Sequence, residues 1–179
     1  GTTDVEELVI SAVVGQQVSL ASARIALGRL ADRFGAPIDD PRNGVDRAFP
    51  AAAALAGADP AELPLPRTRA AALQHLAASL TNGALELHPG TDRDRAEAEL
   101  LAQPGIGPWT AAYIRMRGLG DPDVLPPGDA AIRRALAGRC PAHDRAGHPA
   151  DGWKPWRTYA TAHLGEAAGR PPERKERSP

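Results

Sequence analysis

The chain has 179 residues and a formal net charge of −1, and it is 42% hydrophobic and 24% charged. The length predicts one compact unit, the composition excludes collagen-like and wholly disordered proteins, and the charge gives by itself no sign of nucleic-acid binding. The single cysteine, Cys140, excludes an intramolecular disulfide framework, an all-cysteine zinc site and a four-cysteine iron–sulfur cluster, and it fits a reducing, cytoplasmic setting.

Apolar residues recur at helical spacing along the chain, and no segment shows the strict alternation of a half-buried strand, so we predict an all-α fold. The first helix is expected over 5–14. The next is expected from Leu20 to Phe34, because its apolar residues recur at steps of three and four and Gly35 follows as a stop signal. Another is expected from Arg67 to Asn82, with Gly83 as its left-handed C-terminal cap.

Proline-rich segments separate these helices and are predicted to be short linkers within one domain, at 36–43, 58–66 and 119–128. Thr91 to Asp94 resembles a capping box with Thr91 as the N-cap of a helix that runs through Ala102. The run 140–152 is expected to be a loop. The tail 169–179 has no apolar side chain except proline, so we expect it to be disordered.

A Gly-x-Gly turn between two predicted helices is the most informative stretch of the chain, with the sequence Gln-Pro-Gly-Ile-Gly-Pro at 103–108. Gly105 and Gly107 permit positive φ and a close backbone approach, Ile106 can serve as an inward anchor, and Pro108 suits the first turn of a helix. Unpaired backbone N–H groups at that helix start, beside glycines without side chains, form a seat for a phosphate. A plain helix-packing corner is the alternative.

Asp129 follows the stiff segment Leu-Pro-Pro-Gly at 125–128 and precedes a predicted helix over 130–136. Aspartate is a preferred N-cap, so capping alone is one explanation of this residue. The same helix N-terminus favours an ionised carboxylate, which makes Asp129 a candidate for chemistry that needs an anion at neutral pH.

Trp109, Ala112, Tyr113 and Met116 follow the i, i+3, i+4, i+7 spacing and share one face of the helix after the turn. Such a stripe is typical of a protein core. Because Ala111 can supply apolar packing on another face, the aromatic side is also a candidate pocket wall.

The Pro-Gly-Ile-Gly turn at 104–107, the Trp-Thr-Ala that follows Pro108, the Gly/Pro-rich loop and Asp129 together resemble the helix-hairpin-helix, Gly/Pro-rich loop, Asp (HhH-GPD) superfamily of DNA glycosylases. More narrowly they resemble its 3-methyladenine DNA glycosylase II (AlkA-like) branch. Segments 15–19, 65–70 and 153–160 extend the resemblance over nearly the whole chain. It implies the helical fold of that superfamily over 1–168, with the hairpin at about 94–118 and the loop and aspartate at 119–129.

The resemblance implies a monofunctional DNA glycosylase that hydrolyses the N-glycosidic bond of alkylated purines, such as 3-methyladenine and 7-methylguanine, in the first step of base excision repair. Its expected partner is double-stranded DNA with alkylated bases. We expect a monomer without a catalytic cofactor, in the cytoplasm at a bacterial nucleoid, and a longer or fused full-length protein. The sequence contains no uninterrupted run of about 18 apolar residues, so no membrane span is predicted.

The same resemblance implies the roles of individual residues. Asp129 would be catalytic, and Trp109 and Tyr113 would form the base pocket, where an electron-rich ring attracts a cationic purine. The residues implied to contact DNA are Gly105, Gly107, Trp109, Thr110 and Gln17. Backbone carbonyls implied to hold a structural monovalent cation are those of Leu101, Gln103 and Ile106.

Three positions differ from residues found in other members of the superfamily. Members with lyase activity have a nucleophilic lysine where this chain has Trp109, and its two lysines, Lys154 and Lys175, lie far from the turn, so no lysine imine is expected. Gly165 stands where many members have a tryptophan, which predicts a wider pocket. Gln17 maps to the side chain that fills the gap left by the flipped base, and a helix-end role for Gln16 and Gln17 is the alternative.

Other readings stay open at this point. A glycosylase for another purine lesion or a non-catalytic DNA-binding hairpin would share the turn. Cys140 with His143 and His148 is too small a set for a regular zinc site.

In the Trp-Lys-Pro-Trp segment at 153–156, Pro155 suits the first turn of a last helix, and the two tryptophans are expected to hold that helix against the hairpin.

Overall fold

The computed structural model describes residues 2–42, 44–137 and 150–169, and this part of the chain is mostly helical. The helices are α1 (Val5–Val14), α2 (Leu20–Phe34), α3 (Ala52–Ala56), α4 (Arg67–Thr81), α5 (Arg93–Leu101), α6 (Pro108–Arg117), α7 (Ala130–Ala137) and α8 (Arg157–Gly169). Two short 3-10 turns cover Pro60–Glu62 and Asp151–Trp153. The predicted helical fold class is confirmed.

Local capping explains several of these bounds. Asp4 and Ser19 cap α1 and α2 with their side-chain oxygens, and Gly83 follows α4 with a φ of +75°. For α5 the predicted N-cap, Thr91, is wrong by one residue. Asp92 is the cap, because its Oδ1 accepts hydrogen bonds of 3.0 Å from the amides of both Asp94 and Arg95.

A small antiparallel hairpin replaces one of the predicted linkers. β1 (Pro37–Arg42) pairs with β2 (Val45–Arg47), with Pro37 opposite Arg47 and Arg42 opposite Val45. Gly44, between the strands, has a φ of +78°. The Asn43-Gly44 pair in the sequence is typical of a hairpin turn, but Pro37 and Pro41 in the same segment favoured the prediction of a linker.

The hydrophobic core lies where α1 packs against α4 and α6. Val9 and Ile10 of α1, Leu73 and Leu76 of α4 and Ile114 of α6 are fully buried there. Burial of such side chains is the main stabilising contribution to a domain of this size. The core therefore fixes α1 and α6 relative to each other, and these helices bear on the site described below.

The last helix begins later than predicted. α8 starts at Arg157 instead of at Pro155, because the Arg157 amide donates to Oδ1 of Asp123 (3.2 Å), which caps the helix from another loop. The expected clamp by both tryptophans is wrong for Trp156. Its side chain is 59% exposed and meets the ring of Tyr159 edge-on, with ring centroids 5.6 Å apart.

Some predictions lie outside the described residues. These concern most of the predicted 140–152 loop, the tail from 170 onwards, and Cys140, His143 and His148. Among the described residues, no helix is long and apolar enough to cross a membrane.

Candidate functional site

The turn between α5 and α6 has most of its predicted geometry. Gly105 has a φ of +80°, and a Cβ added to it would lie 3.0 Å from Cβ of Ala72. Ile106 is 7% exposed and belongs to the core, and Pro108 is the first residue of α6. Gly107 differs from the prediction of positive φ. Its φ is −94° because it is the extended N-cap of α6, a conformation that most residues can adopt.

The start of α6 presents free backbone donors. Gly107 has no side chain to cap the helix, and the amides of Trp109 and Thr110 have no backbone acceptor within the described part of the chain. The partial positive charge of a helix N-terminus adds to these N–H groups. This arrangement can bind an anion through the backbone alone, as expected from the turn sequence.

The turn between α1 and α2 is attached to this hairpin. Nε2 of Gln16 donates to the carbonyl oxygen of Gly105 (2.9 Å) and to Oγ1 of Thr110 (3.1 Å). Gln17 is exposed and has a φ of +56°, the only positive φ of a non-glycine residue in the described part of the chain. The structure thus separates the two glutamines, since Gln16 makes the helix-end contacts and Gln17 faces outward.

Asp129 caps α7 and also contacts α6. Its Oδ1 accepts a hydrogen bond from the Ile132 amide (3.0 Å), and its Oδ2 accepts one from Nε1 of Trp109 (2.9 Å). The residue is half-buried, and Gly128 before it has a φ of +72°. Each of the two carboxylate oxygens thus accepts a hydrogen bond, one from α7 and one from α6. Asp129 therefore caps α7 and contacts the hairpin helix at the same time, and its catalytic role stays a prediction.

The loop that carries Asp129 is held by α8. Arg157 donates to the Asp123 carboxylate through Nε (2.7 Å) and Nη2 (2.8 Å), and this holds the pKa of Asp123 below its usual value. Oγ1 of Thr158 accepts from the Val124 amide (3.0 Å) and donates to the Asp121 carbonyl (2.7 Å). The loop therefore reaches Asp129 along a path that α8 fixes.

Arg115 in the last turn of α6 connects this helix to α5 and to the same loop. Arg115 of α6 lies 2.5 Å from Asp121 of the loop, and its Nη1 lies 2.7 Å from Asp94 and 2.6 Å from Glu97 of α5. Burial opposes ionisation of Asp121, but the Asp123 amide and the Arg115 guanidinium outweigh it and lower the pKa of Asp121. This cluster has no local signal in the sequence, because its partners are up to 21 positions apart in the chain.

An aromatic pair borders a large cavity. The rings of Trp109 and Tyr113 are stacked, with centroids 5.3 Å apart and planes 9° apart, and Trp109 is 40% exposed. The cavity has a volume of about 980 Å³. Its other walls come from α1 (Leu8, Ser11, Ala12), the turn with Gln16 and Gln17, α2 (Leu20, Ala23, Arg24, Leu27) and the hairpin (Gly105, Ile106, Gly107).

Several of the predicted residues are therefore connected through Trp109. Trp109 faces this cavity with Tyr113 and holds Asp129 through its indole N–H, while the free amides of α6 lie in the same first turn. The sequence marked each of these residues, but not the hydrogen bond between Trp109 and Asp129. Gly165 on α8 is exposed, with open space around an added Cβ, and the wider pocket stays a prediction.

The proposed monovalent cation also stays a prediction. Of the three backbone carbonyls implied to hold it, those of Leu101, Gln103 and Ile106, the Gln103 carbonyl accepts a hydrogen bond from the Ile106 amide (3.2 Å). Among the described residues there is no group of three or more His, Cys, Asp or Glu side chains arranged to hold a metal ion.

Comparison with known proteins identifies the family to which this chain is similar. Residues 10–149 match the model of the HhH-GPD superfamily base excision DNA repair proteins. The chain is 44% identical over 166 residues to the "Probable bifunctional transcriptional activator/DNA repair enzyme AlkA" of Mycobacterium tuberculosis, covering 91% of this chain and 33% of that protein. It is 38% identical over 176 residues to the "DNA-3-methyladenine glycosylase 2" of Escherichia coli, covering 97% and 61%.

Solved structures share the fold. The 3-methyladenine DNA glycosylase from Archaeoglobus fulgidus superposes with a TM-score of 0.75 at 23% identity, covering 93% of this chain and 59% of that one. The curated relatives named above are longer than the present chain, which spans about a third of the first and three fifths of the second.

Proposed function

The chain belongs to the HhH-GPD superfamily of base excision DNA repair proteins, and from this premise we propose that it is a monofunctional DNA glycosylase for alkylated purines of the 3-methyladenine and 7-methylguanine type. The observation that carries the proposal is the 2.9 Å hydrogen bond between Trp109 and Asp129. It joins a carboxylate to an aromatic cavity wall, next to free helix amides that suit a phosphate.

DNA binding in this proposal begins at the hairpin. Backbone amides at Gly105, Gly107, Trp109 and Thr110 donate to phosphate oxygens of one strand of double-stranded DNA. Such contacts carry no sequence information, and they fix the position of the strand. An enzyme that searches for damage needs this kind of binding, since damaged bases occur in any sequence.

The damaged nucleotide then leaves the base stack and enters the cavity beside Trp109 and Tyr113. Alkylation at N3 or N7 gives the purine a positive charge. The stacked rings present an electron-rich face, and cation–π attraction favours a cationic base over a normal one. The alkylated base is also a better leaving group, so recognition and reactivity select the same substrates.

Bond cleavage depends on Asp129. The bond between C1′ and the purine nitrogen breaks, its electron pair leaves with the base, and positive charge develops on the deoxyribose, as in other glycoside hydrolyses. The ionised carboxylate stabilises that charge and accepts a proton as water attacks C1′. The products are the free base and an abasic site. Trp109 stands where a lysine nucleophile would be needed for strand cleavage, so the reaction ends there.

The proposal extends to the protein as a whole. We propose that it acts as a monomer on DNA of a bacterial nucleoid in the cytoplasm, and that the chain is the catalytic part of a longer protein, as its incomplete coverage of the M. tuberculosis and E. coli relatives suggests.

The direct test is Asp129→Asn, assayed by chromatography of bases released from methylated DNA. Asparagine retains the N-cap, so α7 and DNA binding are expected to be preserved while base release falls at least a hundredfold, in line with loss of a charge that acts in the transition state. Asp59→Asn is the matched control, because Asp59 caps the turn at Pro60–Glu62 away from this site. Undiminished release by Asp129→Asn would refute the enzymatic role.

Substrate class is tested with the wild-type protein. We expect release of 3-methyladenine and 7-methylguanine from methylated DNA. No base should be released from duplexes that contain mismatched adenine or 8-oxoguanine. Base release only from the mismatched or 8-oxoguanine duplexes would assign the chain to another purine lesion. DNA binding without release of any base would make it a non-catalytic DNA-binding module.

A further inference from the structure

The turn between α1 and α2 has a conformation that its own sequence does not favour. Gln17 has a φ of +56°, a left-handed conformation in which the Cβ of an L-residue is crowded by the backbone. Asparagine, aspartate and glycine visit this region more readily than glutamine. Such a residue persists where the surrounding structure determines its conformation, and it is often found at a functional site.

Gln16 determines this conformation through two of its groups, the side-chain amide and the backbone carbonyl. The first contact is that of the side-chain amide. Its side-chain amide donates to the Gly105 carbonyl (2.9 Å) and to Oγ1 of Thr110 (3.1 Å), and Thr110 is 4% exposed. These bonds attach the turn to the hairpin that we propose binds DNA. Hydrogen bonds of this kind persist because an unpaired polar group in a buried position is costly.

The second contact comes from α4. Nη1 of Arg69 donates to the backbone carbonyl of Gln16 (3.0 Å), and the Arg69 side chain is half-buried. That carbonyl belongs to the peptide group between Gln16 and Gln17. The φ of Gln17 relates this peptide group to the rest of the turn, so an arginine that holds the Gln16 carbonyl fixes one of the two sides of that rotation.

Gln17 itself is exposed and lines the cavity together with Trp109 and Tyr113. Its side chain is thus placed at the cavity mouth, while neither Gln16 nor Arg69 is exposed to the same degree. Arg69 contacts the backbone of the turn, and Gln16 contacts the Gly105 carbonyl and the Thr110 side chain of the hairpin.

We propose that Gln16 and Arg69 are positioning residues that hold Gln17 in its left-handed conformation, so that its side chain is already directed into the gap left when a damaged base is extruded. This inference rests on the proposed function, and it assigns to the Arg69–Gln16 contact a role that neither residue type suggests alone. Preorganisation of this kind lowers the entropic cost of inserting a side chain into DNA.

The test is a double-mutant cycle with Arg69→Met and Gln17→Gly. Glycine adopts the left-handed conformation without help and has no side chain to insert, so it removes the group through which Arg69 would act. The readout is the fluorescence change of 2-aminopurine placed opposite a tetrahydrofuran abasic-site analogue in a duplex, at saturating protein. Arg67→Met, an exposed arginine at the first position of α4, is the matched control.

Arg69→Met is expected to lower the amplitude of the fluorescence change about fivefold, an effect similar to that of Gln17→Gly, while binding to undamaged duplex is unchanged. The double variant is expected to equal Gln17→Gly alone, because interacting residues give non-additive effects. Arg69→Lys, which retains a donor, should recover part of the amplitude and serves if Arg69→Met does not fold. Effects of Arg69→Met and Gln17→Gly that multiply, or no effect of Arg69→Met in a folded variant, would overturn the inference.

These outcomes differ from failure of the proposed function. A wild-type protein that releases no methylated base contradicts the function itself. Independent effects of Arg69 and Gln17 in a protein that does release the base contradict only the positioning role.

Discussion

The indole N–H of Trp109 donates a hydrogen bond to Oδ2 of Asp129 although the two residues are 20 positions apart in the chain. The ring of the same indole stacks on Tyr113. One side chain therefore supports the carboxylate with its edge and the cavity wall with its ring.

Trp109→Phe separates these two contributions. Phenylalanine retains a stacking ring and removes the N–H donor, so Asp129 loses one hydrogen bond to its charged form. Because such bonds contribute roughly 1.5–3 kcal/mol, single-turnover release of 3-methyladenine should fall about tenfold to a hundredfold, with little change in KM. Trp109→Ala should additionally weaken selection of cationic bases. Equal rates for Trp109→Phe and wild type would contradict a role of the hydrogen bond.

Gly105→Ala and Gly107→Ala form a matched pair in the hairpin. Gly105 has positive φ and a Cβ there would crowd Ala72, whereas Gly107 has an ordinary φ and open space around it. Gly105→Ala should therefore cost about 1–2 kcal/mol of stability and distort the amide seat, while Gly107→Ala should leave the fold intact. Thermal unfolding and binding to a duplex with an abasic-site analogue check this. Equal losses in both variants would contradict the backbone argument.

Arg115→Met should destabilise the fold strongly. Arg115 is 20% exposed and faces three carboxylates, and the Asp121 side chain is 6% exposed. Removing Arg115 takes away the nearest charge partner of the buried Asp121 carboxylate and leaves Arg93, 4.0 Å away, which costs about 3 kcal/mol in comparable cases. Urea unfolding measures it, and Arg117→Met, an exposed arginine on the same helix, is the control. A loss no larger than that of the control would show that the cluster is not stabilising.

Acid should weaken the attachment of α8 to the Asp129 loop. Arg157 lowers the pKa of Asp123 in the folded protein, so the folded state holds this proton less tightly than the unfolded state does. The resulting stabilisation is complete above the usual aspartate pKa of about 3.9 and is lost as pH falls through the lower folded value. Melting temperatures at decreasing pH should fall less steeply for Asp123→Asn than for wild type. Asp32→Asn, an exposed aspartate on α2, should retain the wild-type slope.

Borohydride should trap no covalent complex between the wild-type protein and DNA. The position of the lysine nucleophile is occupied by Trp109, which cannot form an imine. A glycosylase with a catalytic lysine is the positive control in a gel assay. A stable adduct in the wild-type protein would show that an amine of the chain forms an imine with the abasic site and would contradict a monofunctional enzyme.

Local signals in the sequence account for much of the fold. The bounds of α1, α2 and α4 follow from apolar spacing and from capping residues such as Asp4, Ser19 and Gly83. The β1–β2 hairpin was missed because Pro37 and Pro41 suggest a linker, and the start of α8 because its cap, Asp123, comes from a distant loop. Contacts between distant residues are set by tertiary packing and have no local signature.

The same limit applies to the candidate site. Asp129, Trp109, Tyr113 and the hairpin glycines could be identified from motif and family pattern. The left-handed Gln17 could not, since glutamine rarely adopts that conformation, and the Arg69 contact that restrains it spans 53 positions.

The shared use of Trp109 constrains how the protein can acquire new substrates. Any replacement of Trp109 that reshapes the aromatic wall also removes the hydrogen bond to Asp129. A change of substrate preference at this residue therefore lowers the rate of base release. The cavity is also lined by Leu20, Ala23 and Leu27 of α2, whose apolar side chains make no hydrogen bond to Asp129. Natural or laboratory selection can therefore enlarge or narrow the cavity at these residues while the hydrogen bond between Trp109 and Asp129 is retained.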